Sequence, residues 1–126
     1  MAGGIVPKRV DTVIYQYAAW DRVQFFADAL GNPIDTTGWT GRLRLMTEYG
    51  PSGIVQVNTT ATPYTLPGTT VPSGMRMTIP ASTTGSLNAQ RYPRLVGDLM
   101  VVTVPGADPD RAVEMIAVID PGTGAP

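Results

Sequence analysis

Carboxylates are the side chains of this sequence best suited to acid–base or metal chemistry. The chain has no histidine, no cysteine and one lysine, Lys8, which excludes thiolate nucleophiles, imidazole bases and nearly all zinc, copper and haem ligation. Asp21 and Asp28 could in principle form the carboxylate pair of a glycoside hydrolase. Asp108 and Asp110 present oxygen ligands at alternate positions, as calcium sites do.

Neither carboxylate pair predicts a functional site. Nothing in the sequence sets the distance between Asp21 and Asp28, and no further acidic ligand near Asp108 and Asp110 completes a calcium shell. The serines and threonines lack a histidine that could activate them. We therefore expect a solvated loop tip around Asp108, no metal, no cofactor and no enzyme activity.

The elements that would position these residues are short strands. Apolar and polar residues alternate in runs too short for helices, and Gly, Pro, Asn and Asp mark the turns. We expect Val23, Phe25 and Ala27 to face inward in the second strand, and Leu43 and Leu45 in the third. The predicted strands cover residues 12–17, 22–28, 42–46, 54–58, 75–79, 95–104 and 111–119, with one helical turn over 83–87.

Several single residues carry structural expectations. Asp35 is expected to accept backbone N–H groups near Thr37 at a corner of the chain. Trp39, directly after this corner, is expected in the core, where a large aromatic side chain stabilises a small domain. Asp98, inside an apolar strand, is expected to pair with Arg94 or Arg111 or to face a neighbouring subunit.

About seven strands with Gly/Pro corners predict an all-β fold, an antiparallel β-sandwich of immunoglobulin-like outline. A small closed barrel is the alternative. The length of 126 residues suits one domain. We place that domain at 12–119, between an extended Gly/Pro-rich N-terminal arm, 1–11, and a similar C-terminal tail, 120–126.

Charge and hydropathy exclude further classes of partner. The net charge is −1 and the basic residues are not clustered, so we expect no direct nucleic-acid binding. No segment approaches the roughly 18 apolar residues of a membrane-spanning helix. With 43% hydrophobic and only 15% charged residues, the chain has the apolar material to fold. We expect synthesis in the cytoplasm.

Protein–protein contacts are the expected mode of action. The strands at 95–104 and 111–119 are apolar on both faces, which predicts a central position in the sheet or an interface, and favours a homo-oligomer. The segment 59–73, with three prolines and six threonines, is predicted to be a long irregular loop that forms contacts. The candidate interface residues are Tyr15, Tyr17, Trp20, Tyr64, Leu66, Val71, Met100 and Val102.

The succession of motifs over 12–119 resembles the immunoglobulin-like N-terminal domain of baseplate upper proteins, which are virion proteins of tailed phages. At the position where that family commonly has an apolar residue, this chain has Thr36. The motifs that carry the resemblance are the strand into Ala27-Asp28, the turn LGNPI at 30–34, the corner DTTGW at 35–39, the strand with Arg42 and Arg44, then MRMTIPAS, TTGSL, QRY at 90–92 and GDL at 97–99.

This resemblance implies a non-catalytic structural module that docks one virion component onto another, here through its termini and the 59–73 loop. The protein would be made in the host cytoplasm and reside in the virion. Within that class, a tail or baseplate adaptor and a capsid decoration protein remain open. A carbohydrate-binding module that stacks sugars on Trp20, Trp39 or the tyrosines is the alternative from another class.

Overall fold

Seven strands and one short helix make up the structure, a computed structural model that describes residues 8–121. The expected all-β class is confirmed. The elements are β1 (Lys8–Tyr15), β2 (Trp20–Phe25), β3 (Thr40–Met46), β4 (Val55–Tyr64), β5 (Gly74–Ile79), α1 (Ala81–Gly85), β6 (Arg94–Val102) and β7 (Asp110–Asp120).

All seven strands belong to one mixed sheet, in the order β1-β7-β6-β3-β4-β5-β2. Only β1 and β7 run parallel, and the other neighbouring strands are antiparallel. The sheet curls until it is nearly barrel-shaped, and its two edges come close enough for the Trp20 indole of edge strand β2 to donate a hydrogen bond to Thr12 Oγ1 of edge strand β1 at 3.1 Å. Within residues 8–121 no backbone ladder joins these two edges, so a seam remains between β1 and β2.

Strand β4 is longer than predicted and changes neighbours along its length. It pairs with β3 as far as Ala61, opposite Gly41, and pairs with β5 from Ala61 onward. The prediction of an irregular loop was therefore wrong for residues 59–64, and the loop covers only 65–73. Pro63, which suggested a loop, lies beyond the β3 pairing, where β4 has one neighbour and a missing N–H does not interrupt that ladder.

One hydrophobic core receives side chains from every strand. Leu43 and Leu45 point inward from β3, as predicted. Trp39 is buried beside Phe26, with ring centroids 5.4 Å apart, which confirms its expected place in the core. The largest fully buried hydrophobic side chains are Ile14, Leu43, Leu45, Met75, Met77, Ile79, Leu95, Leu99, Met115, Val101 and Val113.

The predicted inward face of β2 was wrong. Trp20, Gln24 and Phe26 are buried, whereas Phe25 is 44% exposed and Ala27 is exposed. The apolar alternation favoured the other face because Gln24 is polar. Its amide, however, donates a hydrogen bond to the carbonyl oxygen of Phe25, and a buried amide with a partner is tolerated.

The corner and the final hairpin follow the predictions closely. Asp35 accepts the Thr37 N–H at 2.8 Å, and Asp98 pairs with Arg111 at 3.2 Å. Thr36 is fully buried, and its hydroxyl donates to the carbonyl oxygen of Gly74 at 3.0 Å. This hydrogen bond explains how a polar side chain is accommodated in the core.

The described ends of the chain are part of the sheet. Residues 8–11, which we assigned to an N-terminal arm, pair with β7, and Asp120, assigned to the tail, is the last residue of β7. The rest of the predicted arm and tail, 1–7 and 122–126, lies outside the described residues. The predicted helical turn at 83–87 is present two residues earlier, as α1.

Candidate docking surface

An aromatic pair on the outer face of β2, β4 and β5 is the centre of the candidate site. The strand register places Phe25 opposite Gly74, and Gly74 opposite Tyr64. The two rings meet edge to face across the glycine, with centroids 6.2 Å apart and an interplanar angle of 71°. A Cβ atom on Gly74 would lie 3.1 Å from the Phe25 ring and 3.0 Å from Val23 Cγ1, so the glycine makes room for the pair.

An ion pair borders the aromatic pair. Arg76 of β5 donates to both carboxylate oxygens of Asp21 of β2, from Nε at 3.1 Å and from Nη2 at 2.6 Å. Both side chains are about half exposed. The bidentate geometry holds the guanidinium plane in one orientation beside the aromatic rings.

The loop 65–73 and the corner 33–38 form a cleft of about 490 Å³, lined by Pro33, Ile34, Val71 and Pro72 among others. One backbone hydrogen bond joins the two segments, from the Thr36 N–H to the Pro72 carbonyl, and another joins the loop to the end of β2, from the Phe26 N–H to the Ser73 carbonyl. The apolar lining of the cleft is therefore held in place by backbone contacts at both walls.

We call the following residues the aromatic surface: Val23, Phe25 and Tyr64, with Leu66 and Val71 of the adjoining loop 65–73, bordered by Asp21 and Arg76. Phe25, Leu66 and Val71 are exposed, and Val23 and Tyr64 are half-buried. Exposed aromatic groups with a polar rim are typical of protein–protein contact sites. The arrangement can bind an apolar or aromatic side chain of a partner.

The other candidate interface residues lie elsewhere. Tyr15 projects from β1 and is 56% exposed. Tyr17 has a positive φ of 67° in the turn after β1, and its ring lies where a Cβ on Gly85 would stand. Met100 and Val102 line a shallow groove on β6.

Trp20 is buried, at 8% exposure, and takes part in the core instead of a surface. Trp20 is buried because the face of β2 that points inward is the one opposite to the predicted face. Phe25 was not predicted as a contact residue for the same reason. The even spacing of Trp20 and Phe26, two large aromatic residues six positions apart, was the signal that could have shown which face points inward.

The carboxylates that could have carried chemistry have structural partners instead. Asp28 accepts the backbone N–H groups of Leu30 and Asn32, and Asp21 pairs with Arg76. Across the range 8–121, no three acidic residues come together in a way that could hold a metal ion. Residues 8–121 also contain no helix long and apolar enough to cross a membrane.

The ion pair predicts a pH dependence of stability. Hydrogen bonding to Arg76 holds the pKa of Asp21 below its ordinary value of 3.8. Because the folded-state pKa is depressed, the ion pair contributes fully above the unfolded-state pKa, and its contribution is lost as the pH falls through the folded-state pKa. The effect is small because both groups are exposed.

We expect the urea midpoint to decrease less between about pH 5 and about pH 2 in Asp21→Asn than in the unchanged protein. Asp108→Asn, which removes an exposed acid at the hairpin tip, is the control. Equal decreases in Asp21→Asn and the unchanged protein would contradict the assignment.

No family model matches the chain, and no curated protein matches its sequence.

Proposed function

We propose that the chain is a non-catalytic structural protein of a tailed-phage virion, which docks onto another virion protein through the aromatic surface and associates with further copies of itself. The observation that carries the docking is the Phe25–Tyr64 pair, which packs over Gly74 with Phe25 exposed and Tyr64 half-buried and is bordered by a bidentate ion pair. Aromatic residues contribute most of the binding energy in many protein interfaces. The order of motifs that resembles baseplate upper proteins supports the place in a virion.

The strand pairing supports an immunoglobulin-like sandwich as the finer description of the fold. Because β4 pairs with β3 up to Ala61 and with β5 beyond it, the single sheet could fold into two layers at that residue. One layer would contain β1, β7, β6, β3 and the first part of β4, and the other the rest of β4, β5 and β2. Two such layers enclosing one core are the arrangement of a β-sandwich.

A carbohydrate-binding module has less support. Both tryptophans, Trp20 and Trp39, are buried and cannot stack on a sugar. Tyr15 and Tyr17 are exposed, but they belong to a strand and to a separate turn. We therefore favour a protein partner.

Quantitative mass spectrometry of purified particles tests the place in the virion. The particles are those of the phage whose genome encodes this chain. We expect the protein at a fixed copy number: on the order of a dozen copies would indicate a tail or baseplate adaptor, and hundreds a capsid decoration protein. Absence of the protein from purified particles would refute the virion role.

A double substitution tests the aromatic surface. We expect Phe25→Ser with Tyr64→Ser to abolish incorporation into particles, because the apolar centre of the contact is lost. Incorporation is measured by complementing a phage that lacks the gene. Val104→Ser, at a similarly exposed valine in the β6–β7 connection, is the control. Normal incorporation of a folded double variant would exclude this surface as the docking site.

A further inference from the structure

A row of apolar side chains crosses the outer face of four neighbouring strands. Ile116 of β7 lies opposite Val96 of β6, Val96 opposite Met46 of β3, and Met46 opposite Val55 of β4. We call these four residues the outer strip. All four are partly or well exposed, although they alternate with fully buried residues such as Leu45.

The outer strip continues onto β1. Val13 of β1 lies opposite Val118 of β7, one row away from Ile116, and both valines are exposed. The apolar surface therefore spans five strands, on the side of the sheet that faces away from the core. An exposed apolar patch that is rimmed by polar residues can mark a contact site.

Charged residues of opposite sign flank the outer strip on β3 and on β6. On β6, Arg94 precedes Val96 by two residues and Asp98 follows it by two. On β3, Arg44 precedes Met46 by two residues, and Glu48 follows it by two, just past the end of the strand. Because β3 and β6 are antiparallel, with Arg44 opposite Asp98, a positive and a negative residue occupy each flank.

This charge pattern is complementary to itself. Consider a second copy related by a two-fold axis that lies in the plane of the interface and runs perpendicular to the strands. Arg44 then faces Glu48 of the other copy, and Arg94 faces Asp98. If the axis is parallel to the strands, Glu48 faces Arg94 and Arg44 faces Asp98. In both cases opposite charges meet and apolar residues cover the outer strip.

Three of these four charges, Arg44, Glu48 and Arg94, form no ion pair within residues 8–121. Arg44 donates a hydrogen bond to Met46 Sδ, whereas Asp98 already pairs with Arg111. A carboxylate can accept further hydrogen bonds, so the pair with Arg111 leaves Asp98 able to receive Arg94 of another copy.

We propose that the outer strip and its charged flanks are the face of an isologous homodimer. This inference specifies the self-association within the proposed function and does not rest on the place in a virion. The face spans five strands, about 19 Å, by about 13 Å along the strands. Since a stable interface usually covers about 800 Å² per partner, the dimer is weak and concentration-dependent.

Sedimentation equilibrium of the full chain tests the dimer. The monomer mass is 13.4 kDa. Between about 5 µM and about 500 µM, in low salt, we expect the average mass to rise toward twice that value. A constant monomer mass over this range would overturn the proposal, whatever particle mass spectrometry shows. Conversely, a dimer in solution would support this proposal even if purified particles lacked the protein.

Charge reversal tests the face itself. We expect Glu48→Arg to weaken dimerisation roughly tenfold, because two like charges then meet across the two-fold axis. Asp108→Arg, which makes the same charge change at the distant hairpin tip, should leave dimerisation unchanged. Thermal melting of each variant confirms that the fold is kept.

Two second-site changes identify the axis. Adding Arg44→Glu to Glu48→Arg restores the dimer if the axis is perpendicular to the strands, and adding Arg94→Glu restores it if the axis is parallel. Rescue by either change supports the proposal. No effect of Glu48→Arg, or a loss that neither second change restores, would overturn it.

Discussion

Replacing Gly97 with alanine should lower the free energy of unfolding by about 3 kcal/mol or more. Gly97 lies in β6, opposite Leu45 of β3 on one side and Met115 of β7 on the other. A Cβ atom there would overlap the carbonyl oxygen of Arg44 and lie 2.9 Å from the Cα of Leu45. Because the obstacle is backbone in a neighbouring strand, it can be relieved only by separating β6 from β3.

Gly41→Ala is the matched control for this substitution. Gly41 also lies within the sheet, on the adjacent strand β3, but its Cβ would meet Ala61 Cβ and Met75 Cε, each at 3.0 Å. The end of a methionine side chain can move, so we expect a loss of about 1 kcal/mol. Urea unfolding gives both values. Equal losses of unfolding free energy at the two glycines would show that the close approach of the β3 backbone does not determine the cost of a side chain at Gly97.

The second large effect is expected at the seam between the edge strands. Trp20→Ala should lower the free energy of unfolding by about 3–5 kcal/mol, which is typical of truncating a buried aromatic residue. The indole is buried, and its N–H donates to Thr12 Oγ1 across the seam. Removal would therefore create a cavity and also separate β2 from β1.

Conservative substitutions separate the contribution of the Trp20–Thr12 hydrogen bond to stability from that of the buried aromatic ring. Trp20→Phe keeps most of the apolar volume and loses the hydrogen bond, and Thr12→Val loses the acceptor. Each should cost about 1 kcal/mol, and the double variant less than the sum, because both remove the same bond. Calorimetric melting gives the values. Wild-type stability of Trp20→Ala would show that the seam contributes nothing to the fold.

The strongest local patterns predicted the right elements. Alternation identified β3 with its inward face, and β5, and the last hairpin was predicted within a few residues of its ends. Asp35 was correctly placed at a corner because its side chain bonds the backbone two residues away, an interaction that needs no distant partner.

The candidate docking surface could be predicted only in part. Tyr64, Leu66 and Val71 were predicted as contact residues, and they lie at this surface. Phe25 was missed and Trp20 was assigned to an interface, because both depend on which face of β2 points inward. That choice rests on Gln24 finding a hydrogen-bond partner when buried, which composition and alternation do not show.

By itself the sequence determined the class of fold and the chemistry that is excluded. Residue types set strand propensity, and the absence of histidine and cysteine limits the possible reactions, whatever the chain's path in space. Tertiary structure alone decided the parallel pairing of β1 with β7, the length of β4, and the meeting of Phe25 with Tyr64 over Gly74. These features depend on register between segments distant in sequence, and register is set by the packing of the whole core.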